Sequence, residues 1–323
     1  MENIRLGKSG LWASRLSLGA MGFGDPSWRS WVLDYDLAVA LSKFAFDKGI
    51  ILFDTCDFYS QGESEKILGR ILTDIIPRNQ VVLATKVGMP MGPGPNNRGY
   101  SRKHILSAVD ASLKRLNVDY IDLIQSHIWD PATNIEEMVE AFDAVVRSGK
   151  ALYVGATDMP AWQFYKAIQF ARTNNLTAFS TMQNHYNLVW REDEKEIFPL
   201  CLEEGIGMLP YSPMGRGFLC GADRLGSNRS TERARTDDWT QKWYGRPTDK
   251  AIANRLVELA KGYGQSPAKL ALSWVLNRPG VHSPIIGARL NSHINDAISA
   301  VEMRLDDEHV AELEKMYVPR MNN

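Results

Sequence analysis

The chain has 323 residues, 44% hydrophobic and 23% charged, with 37 basic against 38 acidic side chains. This is ordinary globular composition, and the length suits either about two average domains or one α/β barrel. The balanced charge gives no reason to expect nucleic acid or a membrane surface as partner, the odd count of three cysteines argues against a disulfide framework and fits a reducing compartment, and no run of about 18 apolar residues could span a bilayer.

The first ten residues carry charge throughout and lack the apolar core of a signal peptide, so the expected location is the cytoplasm. Asn175–Thr177 and Asn228–Ser230 match the glycosylation acceptor pattern and are read as chance matches. Ile4–Leu6 and Leu11–Ser14 flank a turn, Gly7-Lys8-Ser9-Gly10, which predicts a hairpin within residues 1–17. Gly7-Lys8-Ser9 is not a P-loop, because Glu2 stands where that motif needs its first glycine.

Eight short apolar runs follow: Arg15–Ala20, Ile50–Asp54, Val81–Lys86, Ile121–His127, Ala151–Thr157, Phe179–Gln183, Ile206–Tyr211 and Pro284–Gly287. Each is apolar on both faces, as a covered parallel strand must be. Amphipathic helical segments lie between them, among them Ser101–Leu116 with Ser101 as its N-cap, Ile135–Arg147, Trp162–Arg172 and Asp249–Lys261. Polar residues closing successive strands are 26 to 41 positions apart from Asp54 to Tyr211, against about 31 for eight units in ~250 residues. The expectation is one (β/α)8 TIM barrel spanning 1–323, its floor covered by the hairpin. A doubly wound sheet would need a G-x-G-x-x-G first turn, which Gly19-Ala20-Met21-Gly22-Phe23-Gly24 lacks. Two long loops, 88–100 and 219–247, follow strand ends and so hang over the face where barrels keep their chemistry.

The strand ends carry the candidate chemistry. Asp54, Lys86 and His127 end three consecutive strands, so they must converge on one rim. Tyr59 lies five residues beyond Asp54. A phenol is a poor acid at neutral pH, and a neighbouring lysine is expected to lower its pKa. Aspartate would hold that lysine charged, and histidine would share the substrate oxygen, which suits proton donation to a carbonyl becoming an alkoxide. Asp54, Asp57 and Glu63 sit on one loop rather than across a cleft, against a glycosidase pair. Cys56 is read as a small apolar filler, and no zinc-ligand spacing appears, so no metal is expected.

These segments resemble the aldo-keto reductase family. The likeness runs in order through Phe53-Asp-Thr-Cys-Asp-Phe-Tyr59, Gly62-Glu-Ser-Glu-Lys-Ile-Leu-Gly69, Ala84-Thr-Lys86, Asp119–Leu123 with His127, Gly155–Asp158, Gln183–Asn187, Tyr211–Gly215 and Pro284–Gly287. The details are most similar to the fungal branch of aryl-alcohol dehydrogenases and polyketide-pathway reductases. The resemblance implies Tyr59 as general acid, tuned by Lys86 and Asp54, with His127 polarising the carbonyl. It implies hydride from NADPH in preference to NADH, since no side chain supplies one. Tyr211 would stack on the nicotinamide, and Thr157, Asp158 and Gln183 would hold its carboxamide. Asp158 replaces the family's commoner Asn or Ser and loses a donor. Ser212, Pro213, Gly215, Arg216, Gly217 and Leu219 match the segment that wraps the pyrophosphate. Gly287, Arg289, His293 and Asp296 match the adenosine-phosphate site, with Arg289 for the 2′-phosphate. His293, Asp296 and Ala297 depart from the residues usual there.

Met21, Phe23, Trp28, Trp31, Met89, Trp129 and Tyr186 are the expected substrate contacts. They are apolar and aromatic, which favours a flat hydrophobic carbonyl compound as small-molecule partner. The protein is expected to be a monomer or a weak homo-oligomer. The rival reading is a cofactor-sensing binding subunit, as known in the same superfamily, which can keep the same four residues.

Overall fold

In the computed structural model, which describes residues 1–221 and 231–320, the chain opens with an antiparallel pair, β1 (Asn3–Arg5) and β2 (Trp12–Ser14). Alternation follows through β3 (Ser17–Gly19), α1 (Tyr35–Asp47), β4 (Leu52–Asp54), α2 (Glu63–Asp74), β5 (Val82–Val87), α3 (Arg102–Leu116), β6 (Ile121–Ser126) and α4 (Ile135–Arg147). It continues through β7 (Ala151–Thr157), α5 (Ala161–Thr173), β8 (Phe179–Gln183), α6 (Ile197–Glu204) and β9 (Gly207–Met208). Two short helices, α7 (Glu232–Thr236) and α8 (Asp238–Trp243), precede α9 (Pro247–Gly262), α10 (Pro267–Leu276), β10 (Ile285–Ile286), α11 (Asn291–Val301) and α12 (Asp307–Lys315).

Strands β3 to β10 make one parallel eight-stranded sheet, in which β4 to β9 each pair with the preceding strand and β10 pairs with β3. The sheet curls until its edges meet. His282 N donates to the Met208 carbonyl at 2.9 Å and Ile285 N to the Pro210 carbonyl at 2.8 Å. This is the (β/α)8 architecture.

The helices bury stripes at helical spacing. In α4, Ile135, Met138, Val139, Phe142 and Val145 face the sheet. The hairpin closes the opposite end from the strand C-termini. Leu6 is fully buried among the inward-facing Leu52, Val82, Leu123 and Leu209, and Lys8 N donates to the Gly205 carbonyl at 2.7 Å.

β7, β8 and α4 have the bounds read from sequence, and several others differ for visible reasons. Ser101 is the N-cap of α3 as read, its Oγ accepting from His104 N at 3.2 Å, so the helix proper begins one residue later. Arg15 leaves the strand to donate to the Val281 carbonyl at 2.6 Å, and Ala20 begins a 3₁₀ turn. His127 lies one residue past β6. Ile206–Tyr211 and Pro284–Gly287 shrink to two-residue strands, because Tyr211 pairs with Ile285 only by an isolated bridge. The expected loop 219–247 contains α7 and α8. Its residues 222–230, with the Asn228–Ser230 motif, lie outside the described residues. None of the helices among the described residues is long and apolar enough to cross a membrane.

Candidate active site

The two-residue period of a strand decides which side chains meet inside the barrel. Leu52, Ala84 and Leu123 belong to the inner apolar layer. Two residues further along the same strands stand Asp54, Lys86 and Gln125, which therefore face inward one layer nearer the C-terminal mouth. Gln183 does the same on β8.

All four are buried, and they bond to one another. Lys86 Nζ donates to Asp54 Oδ1 at 2.6 Å and to the Thr55 carbonyl at 2.9 Å. Gln183 Nε2 and Gln125 Nε2 donate to Asp54 Oδ2 at 3.0 and 3.3 Å. The carboxylate is thus held by one ammonium and two amides, the satisfaction a buried charge requires.

The turn after β4 brings Tyr59 over this layer. Its ring centroid lies 5.2 Å from Lys86 Nζ, and its ring meets that of His127 edge-on at 5.9 Å and 89°. The structure therefore brings Asp54, Tyr59, Lys86 and His127 together. The turn is strained: Ser60 and Gln61 adopt φ of 51° and 55°. Asp158, Ser212 and Arg216 share this left-handed geometry, so five of the seven non-glycine residues at positive φ among the described residues lie at this mouth. Such strain concentrates where a fold holds groups for a task.

Burial dominates the protonation states. It is the largest single influence on Lys86 and acts against the ammonium, but the acidic neighbours, Asp54 foremost, leave the pKa raised. Burial also raises the Tyr59 phenol above its ordinary value, with Lys86 opposing it. The expected lowering of this pKa is therefore corrected: in a site this dry, desolvation of the phenolate exceeds the pull of one lysine already paired with a carboxylate. His127 falls to about 3, through burial and then the Lys86 charge, so its imidazole is neutral.

A second group lies beside the first. Tyr211 OH donates to Asp158 Oδ2 at 2.9 Å, and His185 stacks on the Tyr211 ring at 5.2 Å and 13°. Burial, foremost, raises the Asp158 carboxyl to about 7, against the Tyr211 hydrogen bond. Thr157 Oγ1 and Asn184 Oδ1 are buried here without a hydrogen-bond partner. Orphaned polar atoms at a barrel mouth suit a polar ligand such as a carboxamide.

The model of the aldo/keto reductase family matches residues 15–318. The chain belongs to this family. It is 40% identical to the versiconal hemiacetal acetate reductase of Aspergillus parasiticus, over 99% of this chain and 98% of that one. A Schizosaccharomyces pombe protein named for aryl-alcohol dehydrogenase activity is 37% identical over 97% of this chain and 95% of its own. An aldo-keto reductase of Alternaria alternata is 37% identical over 97% and 90%.

The remaining residues of this aldo/keto reductase divide by position. Gly215 and Gly217 take φ of 57° and 93° in a turn over 215–220, whereas Pro213 and the Leu219 side chain are buried. Leu219 belongs to the hydrophobic core, so any ligand contact there falls to backbone. Arg216 is neutralised by Asp237 at 2.6 Å and lies 5.4 Å from the Trp243 ring centre. Gly287, Arg289, His293 and Asp296 are exposed where β10 leads into α11. Asp296 accepts from Ser266 Oγ at 3.1 Å, and His293 Nδ1 from Arg289 N at 3.4 Å.

Of the expected substrate contacts, Met21, Trp28, Met89 and Trp129 are partly exposed on loops after strand C-termini. Trp31 is buried, covered by Arg233 at 4.5 Å from its ring centre. Phe23 and Tyr186 are corrected to core residues. Tyr186 is fully buried, stacks on Trp274 and donates its hydroxyl to Glu194 at 2.5 Å. A residue just past a strand end can point either way, and this one turns outward between barrel and helices.

Sequence reasoning missed Gln125, although strand periodicity places it two residues before His127 on the same face. It gave no role to His185, although that residue lies in the matched segment Gln183–Asn187, and it missed Asp237, for which no local pattern exists. Cys56 is buried as expected of a filler. The donor atoms of Cys56, Asp57 and His127 lie within 4.8 Å of one another. The Lys86 charge bears on all three and opposes a dication there. The surface hollow lined by Leu72, Ile76, Arg78, Val118 and Tyr120 precedes β5 and β6, at the floor, and holds none of this chemistry.

Proposed function

We propose that this chain is an NADP(H)-dependent carbonyl reductase, acting on an aromatic or polyketide-type aldehyde or ketone. The single observation that carries the reading is the buried Asp54–Lys86 pair beneath the phenol of Tyr59, with His127 against it. A nicotinamide cofactor, when bound, supplies the hydride. Tyr59 then gives its proton to the carbonyl oxygen as charge develops there. Lys86 stabilises the phenolate left behind, and Asp54 keeps the ammonium charged and aimed. Neutral His127 donates a hydrogen bond to the same oxygen and fixes its position.

Thr157, Asp158 and Gln183 would hold the carboxamide and Tyr211 the nicotinamide face. The backbone around Ser212–Gly217 would take the pyrophosphate, and Arg289 with His293 the 2′-phosphate. The apolar Met21, Trp28, Met89 and Trp129 favour a flat substrate, and the names of the relatives point the same way. We further take residues 1–323 to act as one cytoplasmic barrel unit, monomeric or weakly associated.

The test is steady-state turnover of an aromatic aldehyde panel with NADPH, beside Tyr59→Phe. The variant should bind NADPH normally and lose turnover by roughly 10²–10⁴-fold. Retained turnover refutes the acid assignment. Binding without turnover by the native chain would favour a cofactor-sensing subunit.

A further inference from the structure

His127, as read above, must present an N–H to the substrate oxygen. A neutral imidazole has one N–H and two places to carry it. Something must put it on the useful nitrogen, and the other nitrogen, Nδ1, is buried without a hydrogen-bond partner.

Both carboxyl oxygens of Asp57 are also buried, with no hydrogen-bonding group bearing on them beyond the adjacent Phe58 N–H. Asp57 sits on the turn between Asp54 and Tyr59, its backbone N donating to the Lys86 carbonyl at 3.2 Å. Its side chain is inaccessible to solvent, and one of its carboxyl oxygens lies within 4.8 Å of an imidazole nitrogen of His127. Two orphaned groups this close, each carrying a penalty of about 1–3 kcal/mol, are natural partners.

The charges around Asp57 decide what kind of partner it is. Glu65 of α2, Arg115 of α3 and Lys86 of β5 all bear on it. Both cations are already paired: Arg115 Nε with Glu65 Oε2 at 2.6 Å, and Lys86 with Asp54. Burial first, then Glu65, holds the Asp57 carboxyl well above the usual carboxylate range. Ionised, it could only accept, and would draw the imidazole hydrogen onto Nδ1. Protonated, it can donate.

We propose that Asp57 is a positioning residue that donates a hydrogen bond from its neutral carboxyl group to His127 Nδ1, and thereby fixes the imidazole with its hydrogen on Nε2. The carboxyl torsion is soft, and catalytic hydrogen bonds that are long in a free enzyme tighten in the complex. Asp57 touches no reacting atom; it acts through His127.

This inference rests on the reductase reading, but its test reads out separately. In protein labelled with ¹⁵N-histidine, long-range ¹H–¹⁵N spectra distinguish the two tautomers, and His127→Gln identifies the His127 signals. The native chain should show Nε2–H. Asp57→Asn, whose amide can still donate, should keep that tautomer and hold kcat within about threefold. Asp57→Leu should shift His127 toward Nδ1–H and lower kcat about 10–100-fold, with the NADPH KM unchanged. Nδ1–H in the native chain, or an unaltered tautomer and kcat in Asp57→Leu, overturns the proposal. If Asp57→Leu does not fold, the native spectrum decides alone. An Nε2–H tautomer in a native chain that turns over no carbonyl would sink the reductase reading and leave the hydrogen bond standing.

Discussion

A phenol that keeps its proton favours one direction of reaction. Burial raises the Tyr59 pKa, so at neutral pH the residue is ready to donate and unready to accept. Carbonyl reduction should therefore be nearly flat from pH 6 to about 9, whereas alcohol oxidation, which needs the phenolate, should rise by about tenfold per pH unit over that span. Initial rates in both directions across one pH series check this; parallel profiles would count against Tyr59 as the proton carrier. Asp158 makes a second prediction. Its carboxyl titrates at about 7, so it holds a proton to donate below that pH and has none above it. Nicotinamide cofactor affinity should weaken by about fivefold as pH rises through 7, the worth of roughly one hydrogen bond. Asp158→Asn, a permanent donor, should flatten the curve. Fluorescence titration with NADH across the same pH range checks both curves. How much of this was legible depended on the property asked about. Strand-end positions placed Asp54, Lys86 and His127 at one mouth, because strand order alone fixes which ends are neighbours. The direction of the Tyr59 shift was not legible, because desolvation depends on what covers the ring.

Elements that close upon themselves were readable, and elements held by distant partners were not. Helix α4 announces its bounds through its own apolar stripe, and Ser101 announces the start of α3. Helices α7 and α8 have too few residues for a periodic signal, and one carboxylate organises them. Asp237 Oδ1 accepts from Trp239 N at 3.2 Å and so caps α8. Its Oδ2 takes Arg216 at 2.6 Å and Arg233 at 3.1 Å. Trp243, at the end of α8, packs on His185 at 4.6 Å, which links the segment to the stack under Tyr211. Asp237→Asn keeps much of the cap but removes the charge from between two arginines. It should cost about 3 kcal/mol, the lower end for breaking a buried pair, since Arg233 is partly exposed. Asp237→Ala should cost about 1 kcal/mol more through loss of the cap. Denaturant unfolding of both variants measures the difference. Equal stability of the native chain and Asp237→Asn would show that the arginines have other anions within reach.

At the scale of the whole molecule, the two ends of the barrel have different tasks. The C-terminal mouth gathers the ionisable groups and the strained backbone. The N-terminal end is sealed by the hairpin, and the seal depends on Gly7. This residue adopts φ of 60°, and a Cβ built on it would lie 2.2 Å from the Gly205 carbonyl oxygen and 2.6 Å from Gly207 N. The clash is with the backbone of 205–207, so no side-chain rotation relieves it. The sequence marked Gly7 as a turn residue, but not its close approach to Gly205 and Gly207, which come from a segment almost two hundred positions away. Gly7→Ala should therefore lose about 2–4 kcal/mol, from the left-handed conformation and from overpacking together. The melting temperature should fall by several degrees. Because the hairpin lies at the far end of the strands from Tyr59 and Lys86, kcat and KM of the folded fraction at 25 °C should remain near native values. Calorimetry beside steady-state kinetics tests both halves. A variant that melts normally would mean that the hairpin does not seal the floor, and one that folds but loses kcat would mean that the two ends are coupled through the inner apolar layer of Leu6, Leu52, Leu123 and Leu209.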